Sequence, residues 1–82
     1  MATFIPHFTL ANHMGAHQAV WSADTVQELL DQGEQEYGAT FKDEVKKATV
    51  LVNGRSINFL DGKKTKLSKD DEVWTVMPSA GG

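Results

Sequence analysis

The 82-residue sequence contains no cysteine, which excludes disulfides, thiolate nucleophiles, cysteine-ligated zinc and cysteine-held iron–sulfur clusters, and which fits a reducing cytoplasm. Long apolar runs are missing as well. No stretch approaches the roughly 18 residues of a membrane span, and the start, Met1-Ala2-Thr3-Phe4-Ile5-Pro6, has neither the basic n-region nor the apolar run of a signal peptide. The expectation is a soluble cytoplasmic protein with no membrane partner. Lysine and arginine, eight in all, are outnumbered by eleven acidic residues, and the net charge of -3 argues against nucleic acid as a partner. It leaves room for a partner with a basic patch. Eighty-two residues with 40% hydrophobic content make one small domain, in which folding buries only about 60% of the unfolded chain's surface.

Against these absences stands the ending Pro78-Ser79-Ala80-Gly81-Gly82. After the proline no side chain is larger than a hydroxymethyl, and the two glycines accept nearly any backbone dihedral, so such a tail can straighten and enter a narrow channel in another protein. An α-carboxylate is ionised at neutral pH and is a poor electrophile, so acyl chemistry at Gly82 requires prior activation, for instance as an acyl-adenylate. Gly-Gly alone is a weak signal, since frayed termini and linker scars end the same way. Its position strengthens it, because the alternating strand Val73-Trp74-Thr75-Val76-Met77 leads straight into it.

Thr3-Phe4-Ile5 reads as a strand closed by Pro6, and residues 7 to 15 read as a connection with a helical turn at Leu10 to Met14 capped by Gly15. Gln18 to Ser22 gives a second strand, antiparallel to the first. The helix that follows carries the strongest local pattern: Asp24 as N-cap, Gln27 three residues on, and Val26, Leu29, Leu30, Gly33 and Tyr37 at helical spacing, closed by Gly38 as a left-handed cap. Phe41 and Val45 suggest one further turn under the core. Thr49 to Val52 is a strand, Asn53-Gly54 suits a type I′ turn, and Arg55 to Phe59 returns as its partner. Leu60 to Asp71 is a polar crossing with Leu67 as a core plug, and Glu72 to Met77 is the last strand. The expected fold is therefore α+β, a β-grasp or ubiquitin-like mixed sheet with one main helix across one face, in the order β-β-α-β-β-β. The domain is expected at 1–77 and a flexible tail at 78–82.

The hairpin Val50-Leu51-Val52-Asn53-Gly54-Arg55, the segment Leu67-Ser68-Lys69-Asp70-Asp71-Glu72-Val73 and the diglycine end together resemble the ubiquitin-like sulfur carriers of the ThiS and MoaD family, over nearly the whole chain. Ile5-Pro6 followed by Met14-Gly15 is similar to the CysO-like branch. Met77 stands where many members have a second proline, and Asp71 where many have glycine. The resemblance implies that Gly82 is adenylated with ATP by a partner of the ubiquitin-activating type, converted to a thiocarboxylate by a sulfur donor (a sulfurtransferase or cysteine desulfurase), and presented to an acceptor synthase, with Pro78, Ser79, Ala80 and Gly81 entering the partner's active site. The chain itself is then a monomeric co-substrate with no bound cofactor and no catalytic residue.

Other constellations carry less. Gly62-Lys63-Lys64-Thr65 lacks the upstream glycine of a phosphate loop, since residue 57 is isoleucine. His7, His13 and His17 do not match a metal-ligand spacing and read as solvated histidines of a polar connection. Asp70, Asp71 and Glu72 are consecutive at a turn, so their carboxylates diverge. Two strands are apolar at both parities, although one helix covers only one face of a sheet. Val50, Val52, Ile57 and Val73 are therefore assigned inward, and Leu51, Trp74 and Val76 to an outer, partner-facing patch, with Phe59 as a further candidate.

Overall fold

The computed structural model describes residues 1–77. Five strands form one mixed sheet in the order β2-β1-β5-β3-β4. They are β1 (Ala2–Ile5), β2 (Ala19–Trp21), β3 (Thr49–Val52), β4 (Arg55–Ser56) and β5 (Glu72–Val76), and three helices accompany them, α1 (Phe8–Met14), α2 (Val26–Tyr37) and α3 (Ala39–Lys47). The central pair β1 and β5 is parallel, while β2 on β1, β3 on β5 and β4 on β3 are antiparallel, which is the β-grasp arrangement expected from the sequence. Both edge strands are short, three and two residues, which limits edge-to-edge pairing with other chains.

Inward parity falls on Ala2 and Phe4 of β1, Val50 and Val52 of β3, and Val73 and Thr75 of β5, all buried. Against them α2 lays Val26, Leu29 and Leu30, the stripe anticipated from helical spacing. Phe41 of α3 is the hub: its ring centroid lies 5.5 Å from Phe4, 6.1 Å from Trp21 and 6.2 Å from Tyr37. Burying each such ring stabilises the fold by about 2–3 kcal/mol. Gly33 makes this possible, because a Cβ there would lie 2.1 Å from Phe41 Cζ.

Several local expectations are corrected. Residues 8–14 are a full α1 rather than a loose connection, because Leu10 and Met14, four apart, bury on one side and Gly15 closes the helix at φ 71°. The N-cap of α2 is Thr25, not Asp24: the Thr25 hydroxyl oxygen accepts from the Glu28 amide at 3.2 Å, while the Asp24 carbonyl accepts from the Leu67 amide. The single turn expected at Phe41 and Val45 is a full helix, α3, with Phe41 buried beside the main helix α2, and Gly38 at φ 83°, ψ -162° is the joint between the two rather than a left-handed helical cap. The return strand stops at Ser56, whose hydroxyl accepts from the Asn58 amide; Ile57–Phe59 becomes a 3-10 turn that drops Ile57 into the core. The second strand spans only Ala19–Trp21, and the last ends at Val76.

The Asn53-Gly54 turn forms as expected, with φ 50° and 86°. Asn53 also reaches beyond its hairpin, its side-chain oxygen accepting from the Glu72 amide at 2.9 Å and its amide nitrogen donating to Asp71 at 3.0 Å. The residue of this segment in the left-handed region is Asp70, at φ 72°.

Candidate functional site

Alternation along β5 turns Glu72, Trp74 and Val76 away from the helices. Trp74 lies opposite Leu51 of β3 on one side and Ile5 of β1 on the other, and Val76 lies opposite Thr49. Trp74 is 39% exposed and Leu51, Ile5 and Val76 are half-buried, so no segment among the described residues closes over the indole. Its Nε1 donates to Glu72 Oε1 at 3.1 Å, which ties the indole to a side chain of its own strand. Ile5 escaped the sequence analysis because its place beside Trp74 depends on the parallel pairing of the two chain ends. Phe59, 84% exposed, sits on the 3-10 turn after β4 and not in a strand of this face. Pro78, Ser79, Ala80, Gly81 and Gly82 lie outside the described residues.

Behind Trp74 is a polar chain that sequence reasoning missed. His7 is buried rather than solvated: its backbone N–H donates to Thr75 Oγ1 at 2.9 Å, its Nδ1 lies 2.8 Å from the same oxygen, and its Nε2 lies 3.2 Å from Glu44 Oε1. Lys47 donates to the other Glu44 oxygen at 3.4 Å. The hydrogen bond from His7, helped by Lys47, holds the Glu44 carboxyl below its ordinary range against the opposing effect of burial. The available signal was Thr75 itself, a hydroxyl at an inward parity of an otherwise apolar strand.

The remaining candidates are accounted for locally. The Thr65 hydroxyl donates to the Gly62 carbonyl and accepts from the Asp61 amide, so it serves its own 3-10 turn and not a phosphate. His13 donates to the Tyr37 carbonyl at 3.2 Å, and among the described residues no three potential ligands converge on a metal position.

A family model described as the ThiS family matches residues 9–82. The chain belongs to the ThiS family. No curated protein matches it at a significant level. Among solved structures, this ThiS-family chain is similar to the small archaeal modifier protein 1 of Methanosarcina acetivorans, with 21% identity, a TM-score of 0.86, and coverage of 99% of this chain and 95% of that one. CysO of Amycolatopsis orientalis, solved as a complex with BexX, gives 20% identity and a TM-score of 0.85 over 100% of both chains. The HVO 2177 protein of Haloferax volcanii gives 27% identity and a TM-score of 0.79, covering 99% of this chain and 85% of that one. At these identities the first two establish the ubiquitin-like fold.

Proposed function

We propose that the protein is a sulfur carrier whose Gly82 carboxylate is the reactive group. The observation that carries this reading is the ThiS-family match running through Gly81 and Gly82. A carboxylate oxygen attacks the α-phosphorus of ATP in an activating enzyme, pyrophosphate leaves, and the acyl-adenylate forms. Hydrosulfide then attacks the carbonyl carbon and AMP leaves, giving a thiocarboxylate; where the donor is a protein persulfide, the first product is an acyl disulfide, and a thiol cleaves its S–S bond to release the thiocarboxylate and a disulfide. The ATP site, the sulfur donor and the acceptor synthase all belong to partners, and the chain contributes the acyl group and the surface that presents it. A small-residue tail has few contacts and loses conformational freedom on entering a channel, so it binds weakly alone. Docking falls to Trp74 with Leu51, Val76 and Ile5, an aromatic anchor in an aliphatic surround. The Amycolatopsis neighbour, solved with a partner protein, supports a role exercised through partners.

The sulfur is proposed to serve amino-acid synthesis (cysteine or homocysteine), on the CysO-like Ile5-Pro6 segment, with molybdopterin or thiamin synthesis as the cofactor alternatives. A deletion strain that requires cysteine or methionine but keeps its molybdoenzymes supports the first, and the reverse phenotype overturns it. The Methanosarcina modifier neighbour favours a second reading, transfer of the adenylated Gly82 to a lysine amine. Mass spectrometry of protein from native cells separates the two: a C-terminal thiocarboxylate marks the carrier, Gly-Gly remnants on lysines mark the modifier. Full function after removal of Gly81 and Gly82 leaves only a β-grasp binding module.

A further inference from the structure

On the helix side of the sheet, away from Trp74, a groove of about 460 Å³ opens between α2, α3 and the start of β3. Its floor is aliphatic, formed by Leu30, Val45, Val50 and Ile57. The rim is charged and divided by sign: α2 contributes Asp31 and Glu34, α3 contributes Lys42 and Lys46, and Lys63 stands on the 3-10 turn beyond. Among the described residues the lysine–carboxylate pair within 4.0 Å is Lys47 with Glu44, and Glu44 otherwise meets His7, so none of these five rim charges has an opposite charge within 4.0 Å.

We propose that this groove is a second docking site, which takes an amphipathic helical segment of a partner protein with an aliphatic ridge, carboxylates on the flank toward α3 and cations on the flank toward α2. The volume falls within the roughly 300–1,000 Å³ of binding clefts, and an aliphatic floor suits side chains at i and i+4 of a helix. The charges select the occupant. A polyanion such as nucleic acid or an anionic lipid surface meets Asp31 and Glu34, and an acidic or basic segment of one sign meets repulsion from one wall. Only a segment with both signs in the right order satisfies both. Because the floor residues are already 7–9% exposed at Leu30, Val50 and Ile57, the added apolar burial is small. Binding is therefore modest in strength, fast and strongly salt-dependent. The groove and the outer sheet face belong to opposite layers of the domain, so the two are occupied together without competition. None of this depends on the chemistry proposed for Gly82.

The test is an NMR titration of the full isotope-labelled chain with a stapled helical peptide carrying leucines at i and i+4, glutamates on one flank and lysines on the other. The expected result is shifts confined to Leu30, Val45, Val50 and Ile57, with the Trp74 indole N–H unmoved. Lys42→Glu combined with Lys46→Glu, both at exposed positions, weakens binding at least tenfold, and replacing the peptide's glutamates with lysines restores it. The proposal is overturned by no binding, by equal binding to the charge-reversed variant, by shifts centred on Trp74, or by groove shifts that depend on protein concentration without peptide, which would mark a second copy as the occupant.

Discussion

Thr75 Oγ1 stands between two nitrogens of one residue, 2.9 Å from the His7 amide and 2.8 Å from His7 Nδ1. The amide can only donate, so the hydroxyl accepts there; at the other end the ionised Glu44 carboxylate can only accept, which puts a proton on His7 Nε2 and, in the neutral ring, leaves Nδ1 to accept the hydroxyl proton. Nε2 donates that proton to Glu44 Oε1 across 3.2 Å. Every group in the chain is satisfied, and the end of β5 is tied to α1 and α3 by direction-specific bonds where the rest of the core offers only apolar packing.

Thr75→Val keeps the shape of the side chain and removes the hydroxyl, leaving the His7 N–H and Nδ1 buried without partners. The expected loss is about 1–3 kcal/mol in urea denaturation, with Thr75→Ser recovering most of it. Hydrogen exchange should accelerate at the His7 amide first. A Thr75→Val protein as stable as wild type would show that the polar chain contributes nothing net.

Glu44 gives the fold an acid limb. Its carboxyl is held below the ordinary range by His7 and Lys47, so its contribution is fully present above the unfolded-state value, about 4.3, and is lost as pH falls through the lower folded-state value. Thermal unfolding from pH 7 to pH 3 should show a steeper acid decline for wild type than for Glu44→Gln. Parallel curves would remove Glu44 from the account.

Gly33→Ala separates packing from propensity. Helix propensity alone predicts a gain of about 1 kcal/mol. The new methyl group, however, falls within 2.1–2.6 Å of three Phe41 ring atoms, and that ring is held by Phe4, Trp21 and Tyr37, so overpacking of about 1–3 kcal/mol should offset the gain and make the variant less stable. Chemical denaturation reads the sign directly.

Trp74→Ala tests the outer face. Since the indole is 39% exposed, the fold should survive, checked by circular dichroism. Affinity for the activating enzyme should fall by about 2 kcal/mol or more, roughly thirtyfold, in isothermal titration. Equal binding by the folded variant would move the docking surface elsewhere.

What was legible in the sequence was local. Asn53-Gly54 and the Val26-Leu29-Leu30-Gly33 stripe form as read because turn dihedrals and helical spacing are short-range properties. The misreadings share one cause, dependence on distant partners. Thr25 displaces Asp24 as N-cap because the chain there pairs with Lys66, and the return strand breaks at Ser56 because Ile57 has a place in the core. His7 looked solvated because Thr75, its partner, is 68 residues away. On the candidate site, parity alone separated Leu51, Trp74 and Val76 from the core, while Ile5 needed the parallel pairing of the two ends.

The most direct test of the carrier account is intact-mass spectrometry of the chain after incubation with its activating enzyme, ATP and sulfide. The account predicts the mass gain of one oxygen-to-sulfur exchange at Gly82, absent without ATP and reduced in Gly82→Ala, which should still bind the enzyme because the added methyl group lies beside the reacting carbonyl and not on the Trp74 face. An unchanged wild-type mass, with an enzyme that binds the chain and is otherwise active, would contradict it.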